Sequence, residues 1–127
     1  MSDRETTILE LRTLVERFVA ERDWEQFHSP KNLAMSLAIE AAELMEHFQW
    51  LTPEESRGAA ADGDKRTAIA DELADVMCYA LAMANALELD LSSAVAQKME
   101  KNAQKYPVKD FRGRWGSEDR RGDEDER

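Results

Sequence analysis

The chain has 127 residues, 35% of them charged, and a formal net charge of −10. That length suits one domain with its own core and little to spare. The acidity argues against a nucleic-acid backbone or an anionic membrane as the main partner, though a bound cation can still admit a small anionic substrate.

Leu and Ala dominate the apolar set, and β-branched residues are few, which favours helix over sheet. No glycine precedes Gly58, none lies between Gly63 and Gly113, and Pro30, Pro53 and Pro107 stand where helices would begin or stop. A first helix is expected over 5–21, with Ile8, Leu11, Leu14, Val15 and Phe18 as its apolar stripe. A connector over 22–29 carries Trp24, Phe27 and His28. Ser29 as cap and Pro30 at the first helical position start a second long helix, expected to reach about residue 50. Thr52-Pro53-Glu54-Glu55 repeats that start signal, so a short helix should precede the 58–63 loop. A third long helix is expected over 64–87, and Asp90 caps a fourth that ends near residue 105, before Pro107.

Residues 1–110 are therefore read as one all-α domain, a four-helix bundle, and 111–127 as a charged, flexible tail. Nine of the last eleven residues are charged and none is apolar, too little to offset the entropy of ordering them. Cys78 cannot form an internal disulfide and reads as a small buried hydrophobe within an apolar run. That run, 76–84, is far shorter than the roughly 20 residues that cross a bilayer. The first dozen residues are too charged for a secretory signal, so a soluble, cytoplasmic chain is expected.

Two short acidic pairs carry the chemistry: Glu40-x-x-Glu43 and Glu72-x-x-Asp75, with 28 residues between them. Helical positions i and i+3 share a side, so each pair can present two carboxylates together. Glu40 lies inside an apolar stripe with Leu33, Ser36, Leu37, Leu44 and Phe48; Glu72 shares one with Val76, Tyr79 and Met83. Solvated acids at a stripe's edge, or helix–helix ion pairs, are the ordinary alternative. A carboxylate inside a stripe is costly to desolvate unless a cation compensates it. Two such helices packed antiparallel would aim four oxygen donors at one point, a site for Mg²⁺ or Mn²⁺. A carboxylate-bridged di-iron bundle would need Glu-x-x-His motifs, which neither pair supplies; His47 stands at i+4 from Glu43.

On the last helix Lys98, Asn102 and Lys105 share one face, which suits phosphate oxygens or, equally, a solvated basic edge at a helix C-terminus. Trp24 and Trp50 border the second helix, and an indole can stack on a nucleobase, although packing is the commoner fate of tryptophan.

With these residues assembled, the chain resembles the MazG-like all-α nucleoside triphosphate pyrophosphohydrolases, and within them the dCTP pyrophosphatases. The resemblance runs over about residues 8 to 108. It rests on Arg22-Asp23-Trp24-Glu25-Gln26-Phe27-His28, Glu40-Ala41-Ala42-Glu43-Leu44, Phe48-Gln49-Trp50, Asp71-Glu72-Leu73-Ala74-Asp75-Val76 and Lys98-x-x-x-Asn102-x-x-Lys105-Tyr106-Pro107. It implies Mg²⁺-dependent hydrolysis between the α- and β-phosphates of a dCTP-like substrate. Glu40, Glu43, Glu72 and Asp75 would then be metal ligands and catalytic groups. Lys98, Asn102 and Tyr106 would hold the triphosphate, and Trp24, His28 and Trp50 would line the base pocket, in a homodimer or homotetramer. Position 105 is often arginine in such stretches, and Lys105 gives up bidentate phosphate binding. Two rival readings are a broader or dUTP-directed pyrophosphohydrolase and a non-catalytic helical oligomer whose acids bind a stabilising cation.

Overall fold

A computed structural model describes residues 1–114; most of the expected tail, including all of its charged end, lies outside the described residues. Among these every regular element is helical: α1 (Ile8–Glu21), α2 (Pro30–Glu46), α3 (Pro53–Arg57), α4 (Gly63–Leu87), α5 (Leu91–Lys105) and α6 (Val108–Phe111), with single 3₁₀ turns at Glu25–Phe27 and Ala59–Ala61. The all-α expectation is met.

The starts of α1 to α5 each follow from a short polar side chain that occupies otherwise unpaired amide groups. Thr7 opens α1 by a capping box: its hydroxyl accepts from the Glu10 amide at 3.2 Å, and the Glu10 carboxylate accepts from the Thr7 amide at 2.6 Å. The helix therefore begins at Ile8, not at residue 5. Ser29 caps α2 with Pro30 behind it, as its sequence requires, and Asn32 ties the connector down by donating to the Phe27 carbonyl at 3.0 Å. That helix stops at Glu46; residues 47–50 continue as turns, short of the expected end. Asp62 caps α4 by accepting from the Asp64 and Lys65 amides at 2.9 and 3.1 Å. At its far end the non-glycine residue Glu88 adopts the left-handed conformation (φ 53°) that terminates many helices.

The described chain divides into two compact units, one spanning Met1–Leu89 and one from Asp90 onward. Within the first unit α4 packs most extensively on α2, then on α1. Val19, Leu33, Ala59, Leu81, Ala82 and Ala84 are the buried apolar residues, so the core lies where these three helices meet. Arg12 clasps α1 to the end of α4. Its guanidinium donates to Asn85 Oδ1 at 2.9 Å, to the Leu89 carbonyl at 2.6 Å and to the Ala84 carbonyl at 3.2 Å, while Asn85 Nδ2 donates back to the Arg12 carbonyl at 3.0 Å. A cation there also suits the negative end of the helix dipole.

In the second unit Asp90 caps α5 by accepting from the Ser93 amide at 2.9 Å. After Pro107 the chain makes one more helical turn, α6, where the sequence predicts none. Phe111, expected as the first tail residue, belongs to that turn and packs edge-on against Tyr106, ring centroids 5.1 Å apart. Among the described residues no helix is long and apolar enough to cross a membrane.

Candidate active site

Because α2 and α4 lie side by side, three of the four paired acids meet. Glu40 and Glu43 stand one turn apart on α2, and Glu72 projects from α4. One carboxylate oxygen from each of the three lies within 4.8 Å of the others. Glu40 Oε2 and Glu72 Oε2 are buried and have no hydrogen-bond partner. Buried anionic oxygens without a donor are costly, and more so beside one another.

The protonation equilibria register this crowding. Burial first, then the neighbouring carboxyl of Glu43 and the charges of Asp75 and Glu72, push the Glu40 carboxyl up to about 7. Glu72 is raised as well, again by burial first, then by Glu43, with Asp75 adding to the effect. The cluster therefore takes up protons when nothing else neutralises it. A hard divalent cation would supply the missing charge, and unpartnered carboxylate oxygens are the donors such an ion selects. The residues present fit a divalent-cation site.

Asp75, the fourth expected ligand, is on α4 one turn beyond Glu72 but is not part of the three-oxygen cluster. Its charge acts on both Glu40 and Glu72, and it lines the cavity beside them. His47, one turn after Glu43, is the C-cap of α2 and also stands outside the cluster.

Next to the acids is a cavity of about 520 Å³, bounded by α1, the connector, α2 and α4. That is ample for a nucleobase and its sugar. Trp24 and His28 line it, together with Phe18, Tyr79 and Cys78, and Glu40 and Asp75 reach it from the acidic side. Two of the three residues expected at the base are thus gathered beside the carboxylates. Trp50 is not: it is 88% exposed and forms no part of that wall.

Tyr79 and Cys78 are wall residues that sequence reasoning missed. The sequence marks Tyr79 only as a stripe neighbour of Glu72, although a residue seven positions on from Glu72 is two turns along the same face. Cys78 corrects an expectation outright, since it is exposed rather than buried. Loss of hydration, and then the charge of Asp75, hold its thiol above the ordinary value.

Lys98, Asn102, Lys105 and Tyr106 lie on α5 and at its end, in the second unit. There the Tyr106 amide donates to the Asn102 carbonyl at 2.8 Å, and the Lys105 ammonium lies 5.3 Å from the centre of the Tyr106 ring.

A helical fold with a carboxylate cluster between two long helices and an aromatic cavity beside it narrows the class, and comparison with known sequences agrees. Residues 35–117 match the model of the MazG-like family, a span that holds all four acids and the α5 residues. The chain belongs to the MazG-like family. It is similar to dCTP pyrophosphatase 1 of Rattus norvegicus, 45% identical over 109 residues that make up 86% of this chain and 64% of the rat protein. The Homo sapiens dCTP pyrophosphatase 1 is 44% identical over 104 residues, 82% of this chain and 61% of the human protein. The chain thus spans less than two thirds of these mammalian relatives' length. A crystal structure of a pyrophosphatase from Archaeoglobus fulgidus superposes with a TM-score of 0.74 at 36% identity, covering 84% of this chain and 98% of the archaeal one.

Proposed function

We propose that this chain is a Mg²⁺-dependent nucleoside triphosphate pyrophosphohydrolase acting on dCTP, or on dCTP with a modified base. Water adds across the α–β phosphoanhydride, giving dCMP and pyrophosphate, so that surplus or altered pyrimidine nucleotides are cleared in the cytoplasm. The observation that carries this reading is the cluster of Glu40, Glu43 and Glu72, with two buried oxygens that have no partner. The mammalian relatives named for dCTP cleavage, at 44–45% identity, support the choice of substrate.

Glu40, Glu43 and Glu72 would hold the ion, with Asp75 completing the set. When bound, the metal supplies neutralisation of the triphosphate oxygens and a lowered pKa for water. One of the four carboxylates accepts the proton that the attacking water gives up. Trp24 stacks on the base and His28 contacts its edge, both from the wall of the cavity. Lys98, Asn102 and Tyr106 hold phosphate oxygens, with lysine acting as a point charge. Such chemistry asks little covalent help from protein, since positioning and charge stabilisation do most of it.

The functional unit is a homodimer or homotetramer. Met35, Ile39 and Met45 on α2, and Leu73 on α4, are each more than half exposed, and so is Trp50. Apolar surface on that scale favours association. A second copy could carry Trp50 to the base pocket of the first.

The test is a panel of deoxynucleoside triphosphates with Mg²⁺ and purified protein. dCTP should be cleaved in preference to the rest, with monophosphate and pyrophosphate as products. Preference for dUTP would replace the substrate, and orthophosphate with a diphosphate would rule out the chemistry.

A further inference from the structure

Trp24 sits on a turn whose backbone is firmly fastened. Its amide donates to the Val19 carbonyl at 3.1 Å, and Asp23 before it takes the left-handed conformation (φ 54°). The Gln26 amide group closes that turn by donating to the Asp23 carbonyl at 3.0 Å and to its carboxylate at 3.1 Å. The indole is nearly half exposed and meets the ring of Phe18 edge-on, at 5.7 Å between centroids and 76° between planes. Phe18 is in turn covered by Arg22, whose guanidinium carbon lies 3.7 Å from the ring centre and whose Nη1 donates to the Phe18 carbonyl at 3.0 Å. Phe18 and Trp24 both line the cavity beside the acids.

From this arrangement we infer that Phe18, with Arg22 seated on its ring, is a positioning residue that holds the Trp24 indole ready to receive a nucleobase. The inference rests on the reading of that cavity as the base site. An indole already ordered does not lose side-chain freedom when a base stacks on it, so preorganisation strengthens binding. Phe18 is not one of the acids that would hold the metal. Disturbing Phe18 should therefore raise KM and leave kcat nearly unchanged, the pattern of lost uniform binding.

The experiment measures KM and kcat for dCTP with the full chain and Mg²⁺ in Phe18→Leu, Phe18→Tyr, Arg22→Gln, Trp24→Ala and the Phe18→Leu/Trp24→Ala double variant. Phe18→Leu should raise KM about fivefold with kcat within about twofold, in keeping with the strength of an aromatic pair. Phe18→Tyr, which keeps the ring, should raise KM less than Phe18→Leu does, and Arg22→Gln should raise it about two- to threefold. In the Trp24→Ala background Phe18→Leu should add nothing, a result that general loss of stability could not produce. Unchanged KM in both Phe18→Leu and Arg22→Gln overturns the inference, as does an equal further loss in the Trp24→Ala background. A wild-type protein that does not cleave dCTP overturns the reading beneath it, and the inference falls with it.

Discussion

Two carboxylate oxygens between α2 and α4 are shielded from water and have no donor, and a third acid crowds them. Without a cation, neutralising one acid should relieve repulsion, so Glu43→Gln is expected to raise the melting temperature of the metal-free protein and to shrink the stabilisation by Mg²⁺. The same variant should lose at least about 100-fold in turnover. A melting temperature that drops, with Mg²⁺ stabilisation intact, would mean that Glu43 is structural. A pH effect follows with a definite sign. The native Glu40 carboxyl titrates at about 7 against an ordinary value of 4.5, so between these values the folded state holds a proton that the unfolded chain releases. Its contribution favours the metal-free fold at low pH and is lost as pH rises from 4.5 towards 7. Wild type compared with Glu40→Gln, melted in EDTA across this range, should therefore fall behind as pH rises, and Mg²⁺ should close the gap. A difference independent of pH would contradict the account. At this scale the sequence was informative where spacing alone decides placement: Glu40, Glu43 and Glu72 could be read from i, i+3 pairs set inside apolar stripes. The position of Asp75 outside the cluster, and the part played by Tyr79 and Cys78 in the cavity wall, depend on how α4 is rotated against its neighbours. Periodicity does not fix that rotation to the nearest side chain.

At the scale of elements, the acids meet only if α4 keeps its place against α1 and α2. The Arg12–Asn85 clasp anchors one end of α4 by four hydrogen bonds, three of them from a charged donor. Arg12→Ala leaves carbonyls at the end of α4 without that donor and should cost about 1–3 kcal/mol. Chemical denaturation would check this, and a loss below about 0.5 kcal/mol would show that water replaces the guanidinium. Helix starts were the most legible features of the sequence, since Ser29-Pro30, Thr52-x-x-Glu55 and Asp90 each set a boundary by local hydrogen bonding. Thr7-x-x-Glu10 carries the same signal and sets the start of α1 later than residue 5. Helix ends were harder to read. Nothing in 47–51 is glycine or proline, so no residue announces where α2 stops. Glu88 and Asp23 take a left-handed conformation without the glycine that usually marks it.

For the molecule as a whole, a buried core of six residues, half of them alanines and with Leu33 the most deeply buried, is modest for the amount of helix it supports. Light scattering on the purified chain should give a dimer or tetramer at micromolar concentration, and a charge placed at Ile39 should shift it towards monomer. A monomer at all concentrations would contradict the oligomeric reading. The all-α class was legible from composition and from the positions of glycine and proline; which apolar faces stay uncovered was not, because a stripe does not say whether its own chain or another copy covers it. The account turns on the carboxylate cluster being a cation site that the reaction needs. Pyrophosphate release from dCTP, followed as Mg²⁺ is titrated into metal-free wild type and Glu72→Gln, tests this most directly. The account predicts saturable Mg²⁺ activation in wild type, abolished by chelation, and a loss of at least about 100-fold in the variant. Turnover by chelated wild type, or a Glu72→Gln protein working at the wild-type rate, would contradict it.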